Sequence, residues 1–282
     1  MIINGIVFVT QSASTILCRT IMKVSIIIYS QVWLLLAICS SCSHDNNDIP
    51  ISKNCEELKA QGIIDSFPYP IRPGSEAWSN IDNQTERYEA VSVPADILEE
   101  MCTHGLVYTC VYCPIFMTHL TVFNCDRDGF LSLCNHINSF GELIKREDAG
   151  IELFDYYTLL TDTTLNNITL FSCRFQIYSV EIFFSQQEFL SQFNSDLLNE
   201  VLLKAYDNLL IKEKLEIDRT FCAANLYLTT NILYYNIKYQ PLIDFIDNNE
   251  TPGILCKSSL WNKEVTDSLR YYTEEYVEQN LR

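Results

Sequence analysis

An all-α body, built as a multi-helix bundle or helical array behind an N-terminal signal and a polar tether, is the fold this sequence predicts. Three observations carry that prediction. Apolar residues recur at helical spacing, best over Asp196–Ile211, where Leu197, Leu198, Val201, Leu202, Ala205 and Leu209 share one face. Gly and Pro number eight each, too few for the turns of a many-stranded sandwich. No stretch alternates apolar and polar residues with comparable strength. A hydrophobic content of 48% sets the chain apart from disordered sequences.

The first element is not part of that body. Met22-Lys23 gives a short positive start, Val24–Ile38 is an apolar run, and Ser40-Ser41 places small residues before Cys42. That order belongs to a secretory signal. The run is shorter than the ~20 residues that span a bilayer. Met1–Ile21 carries no charge until Arg19, and a signal starting at Met22 has a conventional length. Met22 is therefore the expected start, with 1–21 as an upstream extension and 1–41 removed on export. Residues 42–54, ending in the Asn- and Asp-rich Ser43–Asn54, are expected to be a hydrated tether.

Residues 55–282 form the predicted helical domain. Cys55–Gly62 reads as a short helix. Asp65–Ser79 is extended or turning, because Pro68, Pro70 and Pro73 exclude a helix interior. Gln84–Val91 and Pro94–Met101 are short helices, the latter with Pro at an early position. Thr103 is expected to cap Gly105–Tyr112, which Pro114 stops. Ile115–Phe123 and Asp128–His136 follow. Ser139 and Glu142 form a Ser-x-x-Glu capping box for Phe140–Arg146. Asp148–Leu159, Phe171–Phe184, Asp196–Ile211, Thr220–Tyr235 and Glu264–Leu281 complete the helices.

Charge restricts the partners. Loss of Arg19 and Lys23 with the signal leaves 17 basic against 36 acidic residues, a net of −19. Such a chain lacks the basic footprint that nucleic acid requires. It also lacks a polybasic membrane contact. Its acidic surface either serves solvation or meets a cation or basic partner.

Of twelve cysteines, nine follow Cys42. Outside the cytosol disulfides are permitted, and an odd count leaves at least one thiol free or paired with another chain. Cys110-Val-Tyr-Cys113 has redox spacing, but it lies at the end of a predicted helix, where the dipole raises a thiol pKa. Buried cysteines are the expected reading. Cys102, His104, His119, Cys125, Cys134 and His136 could be set out as zinc ligands. Their one-residue spacings turn onto different helix faces, so no metal site is expected. Glu99-Glu100, Arg146-Glu147-Asp148 and Glu274-Glu275 supply carboxylates, which hydrolyse glycosides only when they face each other across a cleft. No phosphate loop, dinucleotide fingerprint, nucleophile elbow or zinc-protease helix is present. No catalytic residue and no cofactor is assigned. Asp162-Thr163-Thr164 and Asp267-Ser268-Leu269 resemble the short O-glycan acceptor pattern of Bacteroidota, a three-residue pattern common by chance, and the Asn83 and Asn167 sequons carry little meaning in a bacterial protein.

Two resemblances add to this. Ser40-Ser41-Cys42 resembles the lipobox of bacterial lipoproteins, in which the cysteine is acylated after cleavage. Cys39 stands where such boxes carry an aliphatic residue. The resemblance implies lipid attachment at Cys42, with Cys39 as the runner-up. The block Val93–Tyr157, with PADILEEMCTHGLVYTCVYCPIF and INSFGELIKREDAGIELFDYY, resembles a family of secreted helical lipoproteins of Bacteroidota. Thr103, Leu106, Cys110, Pro114, Phe140, Gly141, Glu142, Leu143, Arg146 and Asp148 fit its pattern, as does Tyr69-Pro70 with Arg72-Pro73-Gly74. An Asn that the family places between Phe and Gly is missing, and Cys113 stands where the family tends to have Tyr. The resemblance implies secretion and a helical body, and no mechanism.

The expected function is that of a cell-envelope lipoprotein, outer-membrane in location, held to the bilayer by its acyl anchor. Its body is expected to bind a protein or glycan without catalysis. The alternative is an envelope or glycan hydrolase using Glu or Asp in a cleft between helices.

Overall fold

The structure is a computed structural model that describes residues 55–123, 125–165, 171–248 and 262–282. The signal 1–41, the Cys42 lipidation site, the 42–54 tether, Asn167 and Cys256 lie outside the described residues. The chain divides into two compact units, and Arg72–Asn80 is the described part of the first. It holds one helical turn, Glu76–Ser79. Ser75 Oγ caps it by accepting from the Trp78 N–H at 3.1 Å.

All other described residues belong to the second unit, and it is helical with no strand among them. In chain order, counting Glu76–Ser79 as α2, the helices are α1 (Cys55–Ala60), α3 (Gln84–Ala90), α4 (Ala95–Glu100), α5 (Thr103–Val111), α6 (Phe116–Thr121), α7 (Asp126–His136), α8 (Asn138–Leu143) and α9 (Ala149–Thr164). They continue with α10 (Phe171–Phe184), α11 (Gln187–Leu190), α12 (Ser195–Lys214), α13 (Arg219–Asn231), a π-helical segment (Ile232–Ile237), α14 (Gln240–Asn248) and α15 (Lys263–Asn280). The all-α prediction therefore holds.

Helix α1 ends in a Schellman turn. Gly62 takes a left-handed φ of 70°, Ile63 N–H bonds Leu58 O at 2.8 Å and Gly62 N–H bonds Lys59 O at 3.0 Å. The chain then runs as a strap over α5. Asp65 accepts from the Cys102 N–H at 2.8 Å, the Phe67 N–H donates to Thr109 Oγ1 at 2.9 Å, and the buried Tyr69 hydroxyl donates to Thr109 O at 3.0 Å. Pro68 and Pro70 keep the strap extended. It crosses α5 so closely that a Cβ on Gly105 would sit 2.0 Å from Asp65 Oδ1.

Two cores follow from two enclosed helices. Thr103 and residues 105–111 of α5 are all buried. Beside α5, the rings of Phe116, Phe130, Phe140, Phe183 and Phe189 meet at centroid separations between 5.1 and 5.9 Å. Helix α13 is the second enclosed element, buried at every residue from Cys222 to Asn231. It packs against α10, α12 and α15. The face read from Asp196–Ile211 is the packed one: Leu198, Val201, Leu202, Ala205 and Leu209 are buried.

Both expected caps in the first half are replaced by tertiary contacts. Thr103 is the first residue of α5, not its cap, and its hydroxyl donates to Asp148 Oδ1 at 2.8 Å. Asp65 serves the start of that helix from 37 residues upstream. The capping box at Ser139 does not form, because α8 starts at Asn138 and buries Ser139 within it. Asn138 instead exchanges two hydrogen bonds with the Val93 backbone, at 3.0 and 2.6 Å. Glu142 binds Arg146 at 2.9 Å.

Candidate functional site

The most unusual chemistry lies inside the second core. Glu181 of α10 and Lys212 of α12 form an ion pair with side-chain exposures of 0% and 1%. The Lys212 Nζ donates to both carboxylate oxygens at 2.8 Å, to Phe221 O at 3.1 Å and to Asn225 Oδ1 at 2.5 Å. The Tyr157 hydroxyl donates to Glu181 Oε1 at 3.2 Å and accepts from Asn208 Nδ2 at 2.9 Å. Asn225 Nδ2 donates to Tyr157 Oη at 3.3 Å and to Ala205 O at 3.1 Å. The orientation of the Asn225 amide follows, since an ammonium only donates and a carbonyl only accepts.

Every proton of the Lys212 ammonium has an acceptor, which a charge in such a place requires. Burial raises the Glu181 pKa above its usual range, although Lys212 and its hydrogen bonds pull the other way. The Tyr157 phenol is pushed well up, first by burial and then by the charge of Glu181.

A second cluster is on the surface, where the π segment, α14 and α15 meet. The Tyr239 hydroxyl donates to Glu275 Oε2 at 2.6 Å and the Tyr271 hydroxyl to Oε1 at 3.0 Å. Tyr239 packs on Tyr276 at 5.2 Å, Tyr271 on Tyr272 at 5.2 Å, and Phe245 on Tyr272 at 5.4 Å. Tyr234 packs on Tyr235 at 4.8 Å and reaches Asp247. Tyr271 is 55% exposed and Tyr235 40% exposed, so aromatic rings face solvent beside carboxylates. Burial and then the bond to Glu275 raise the Tyr239 phenol, and the same carboxylate raises that of Tyr271. Both phenols therefore remain donors. A widened helical turn interrupts regular packing and is common at functional sites. Here Ile232–Ile237 ends at Lys238 with a left-handed φ of 62°.

Of the motifs picked out in the sequence, only Glu275 stands in either cluster. Cys110 and Cys113 are fully buried in the first core and carry free thiols. Burial is the main cause raising both, Cys113 to about 12. Cys102 is in a disulfide. The histidines do not converge. His104 Nδ1 lies 3.1 Å from Glu152, whereas His119 and His136 flank the Tyr88 ring. Burial, then His136, lowers the His119 pKa. No group of three or more potential ligands is placed to hold a metal ion among the described residues. Glu99, Glu100, Glu147 and Asp148 are exposed, Glu274 pairs with Arg270 at 2.7 Å, and Glu275 belongs to the tyrosine cluster. Thr163 and Ser268 sit within helices with their hydroxyls bonded to Leu159 O and Glu264 O. Asn83 caps α3 by accepting from the Glu86 N–H at 3.0 Å.

No protein-family model matches the chain, and no curated protein or solved structure is detectably similar to it.

Residue types point to Glu275 alone among the members of the two clusters, though each cluster leaves a signal in the sequence. Lys212 stands three positions after Leu209 and seven after Ala205, on the buried face of α12. Glu181 is the lone acid in the aromatic run FSCRFQIYSVEIFF. The surface cluster shows as YY at 234–235 and 271–272 with acidic neighbours, but only the packing of α14 against α15 brings these together.

Proposed function

We propose that this is a lipoprotein of the bacterial envelope, held at the outer membrane through an acyl chain on Cys42. Its helical body binds, without catalysis, a Lys- or Arg-rich segment of a protein partner. The observation that carries the binding reading is the convergence of the Tyr239 and Tyr271 hydroxyls on Glu275, which leaves exposed rings beside a carboxylate. Aromatic faces next to carboxylates favour cations, and long-range attraction from an acidic chain steers them in. The whole chain has a net charge of −17, which suits the same class of partner and opposes nucleic acid.

The hydrolase alternative draws less support. Among the described carboxyl groups, burial raises the pKa of Asp65 and Glu181. Asp65 is spent on the Cys102 N–H and Glu181 on Lys212, so the two do not work as a facing pair.

Two measurements test the proposal. The intact mass of protein recovered from its host's membranes should correspond to an acylated chain starting at Cys42. An unlipidated chain starting at Ser43 or later would overturn the anchor. The solubilised protein, titrated with labelled oligolysine and with a neutral oligosaccharide, should bind the oligolysine. Tyr271→Ala and Glu275→Gln should weaken that binding several-fold, and added salt should weaken it further. Binding of the oligosaccharide alone, or of neither, would overturn the basic-partner reading.

A further inference from the structure

We propose that Lys212 and Asn225 join in an intramolecular isopeptide bond, with Glu181 as the proton-transferring catalytic residue, so that α12 and α13 become covalently cross-linked. The three groups that this reaction needs are already together. Lys212 Nζ supplies the nucleophile and lies 2.5 Å from Asn225 Oδ1, one bond from the carbon to be attacked. Glu181 holds the same nitrogen through both oxygens at 2.8 Å. The leaving nitrogen, Asn225 Nδ2, is bonded to Ala205 O and to Tyr157 Oη, and the same hydroxyl reaches Glu181 Oε1, which gives a path for a proton from Glu181 to Nδ2. Bringing nucleophile, electrophile and base together in the folded state converts a very slow encounter into an internal reaction.

The balance closes without any other reagent. A proton passes from the Lys212 ammonium to the Glu181 carboxylate, leaving a neutral amine and a carboxylic acid. The amine attacks Asn225 Cγ, and the carbonyl oxygen takes up negative charge in the tetrahedral intermediate. Glu181 relays the second amine proton to Nδ2, the Cγ–Nδ2 bond breaks, and ammonia leaves. The products are a secondary amide between Lys212 and Asn225, a neutral Glu181 and one ammonia molecule. No electrons are exchanged.

The core drives the reaction. An ion pair with 0% and 1% exposure pays a desolvation cost that an amide and a protonated acid do not. Burial already pushes the Glu181 carboxyl toward its neutral form. Phe184, whose ring lies 5.9 Å from that of Tyr157, helps keep water from the intermediate.

The test is the mass of the full-length protein, reduced and denatured. It should fall short of the sequence by one ammonia when compared with a Lys212→Arg chain prepared in the same way and corrected for the substitution. Trypsin cuts after Lys204, Lys214, Arg219 and Lys238, so fragments 205–214 and 220–238 should be recovered as one branched species. Glu181→Gln should restore the full mass. Asn225→Asp should form the same link with loss of one water instead, which shows that the fold and not the amide alone directs it. Full mass in the unsubstituted protein, or ammonia loss with the two fragments separate, would overturn the proposal.

Discussion

The Asp65 carboxylate accepts the Cys102 N–H at 2.8 Å while standing where a Cβ on Gly105 would have to go. One side chain therefore both caps α5 and fixes how closely the strap approaches it. Asp65→Ala should cost ~1–2 kcal/mol, as for loss of a helix cap. Gly105→Ala should cost more, because the clash lies at 2.0 Å with a side chain that is itself buried. Urea unfolding of both variants tests the order. A Gly105→Ala protein as stable as the parent would show that the strap does not press on α5.

Burial raises the Asp65 pKa above 3.8, against the pull of the Cys102 N–H. An acid with a raised folded pKa binds more protons in the native state. Stability from this group therefore falls as pH climbs from 3.8 through the folded value. Asp65→Asn keeps an acceptor, removes the charge, and should flatten that part of the stability profile. An unchanged profile would place the titration elsewhere.

Glu188 behaves in the opposite sense. Burial tends to raise it, but the bidentate pair with Arg127, including a bond of 2.6 Å, brings its pKa below 4.5. Its contribution is present above 4.5 and is lost as pH falls through the lower folded value. Thermal unfolding of Glu188→Gln should differ from the parent at neutral pH and converge with it in acid. A constant difference at all pH values would contradict the assignment.

In an Asn225→Ala background, where no cross-link can form and the ion pair persists, Lys212 and Glu181 should be strongly non-additive. Removing either alone leaves a buried, unpaired partner and should cost ~3–5 kcal/mol, whereas replacing both with apolar residues should cost less than either single change. Glu181→Leu, Lys212→Met and the double variant, each made in that background and unfolded in urea, give the coupling directly. Additive losses would mean that the pair is not coupled.

Cys110 and Cys113 should be unreactive in the folded protein, since burial holds both thiols protonated, Cys113 up to about 12. Cys113→Ser should leave the rate of reaction with a dithiol probe unchanged. A large drop would bring back thiol exchange.

Periodicity made the long helices legible. The face from Leu198 to Leu209 was readable because the surrounding helices bury it as a unit. The caps were not readable at Thr103 and Ser139. A hydroxyl near a helix start has several possible acceptors, and the choice was made by Asp148 and by burial in α8. Helix α14 has no counterpart among the expected elements, although Leu242 and Ile246 are buried one turn apart and Asp244 and Asp247 take the opposite face, because the pattern lasts only nine residues. Lys212 shows the limit most clearly. Its position placed it inside and its residue type placed it outside, and only Glu181 and Asn225, from two other helices, resolve the conflict.

The strap over α5 also gives the molecule a mechanical direction. A pull applied to the chain at residues 63–64 would be transmitted along the strap to the Asp65, Phe67 and Tyr69 hydrogen bonds, all of which end within residues 102–109, whereas one applied earlier would first load the Lys59–Glu152 pair between α1 and α9. Force would thus arrive at the enclosed helix of the first core, bypassing α12, α13 and α15. Under tension the hydrogen bonds between the strap and α5 should yield before the packing among α12, α13 and α15 does.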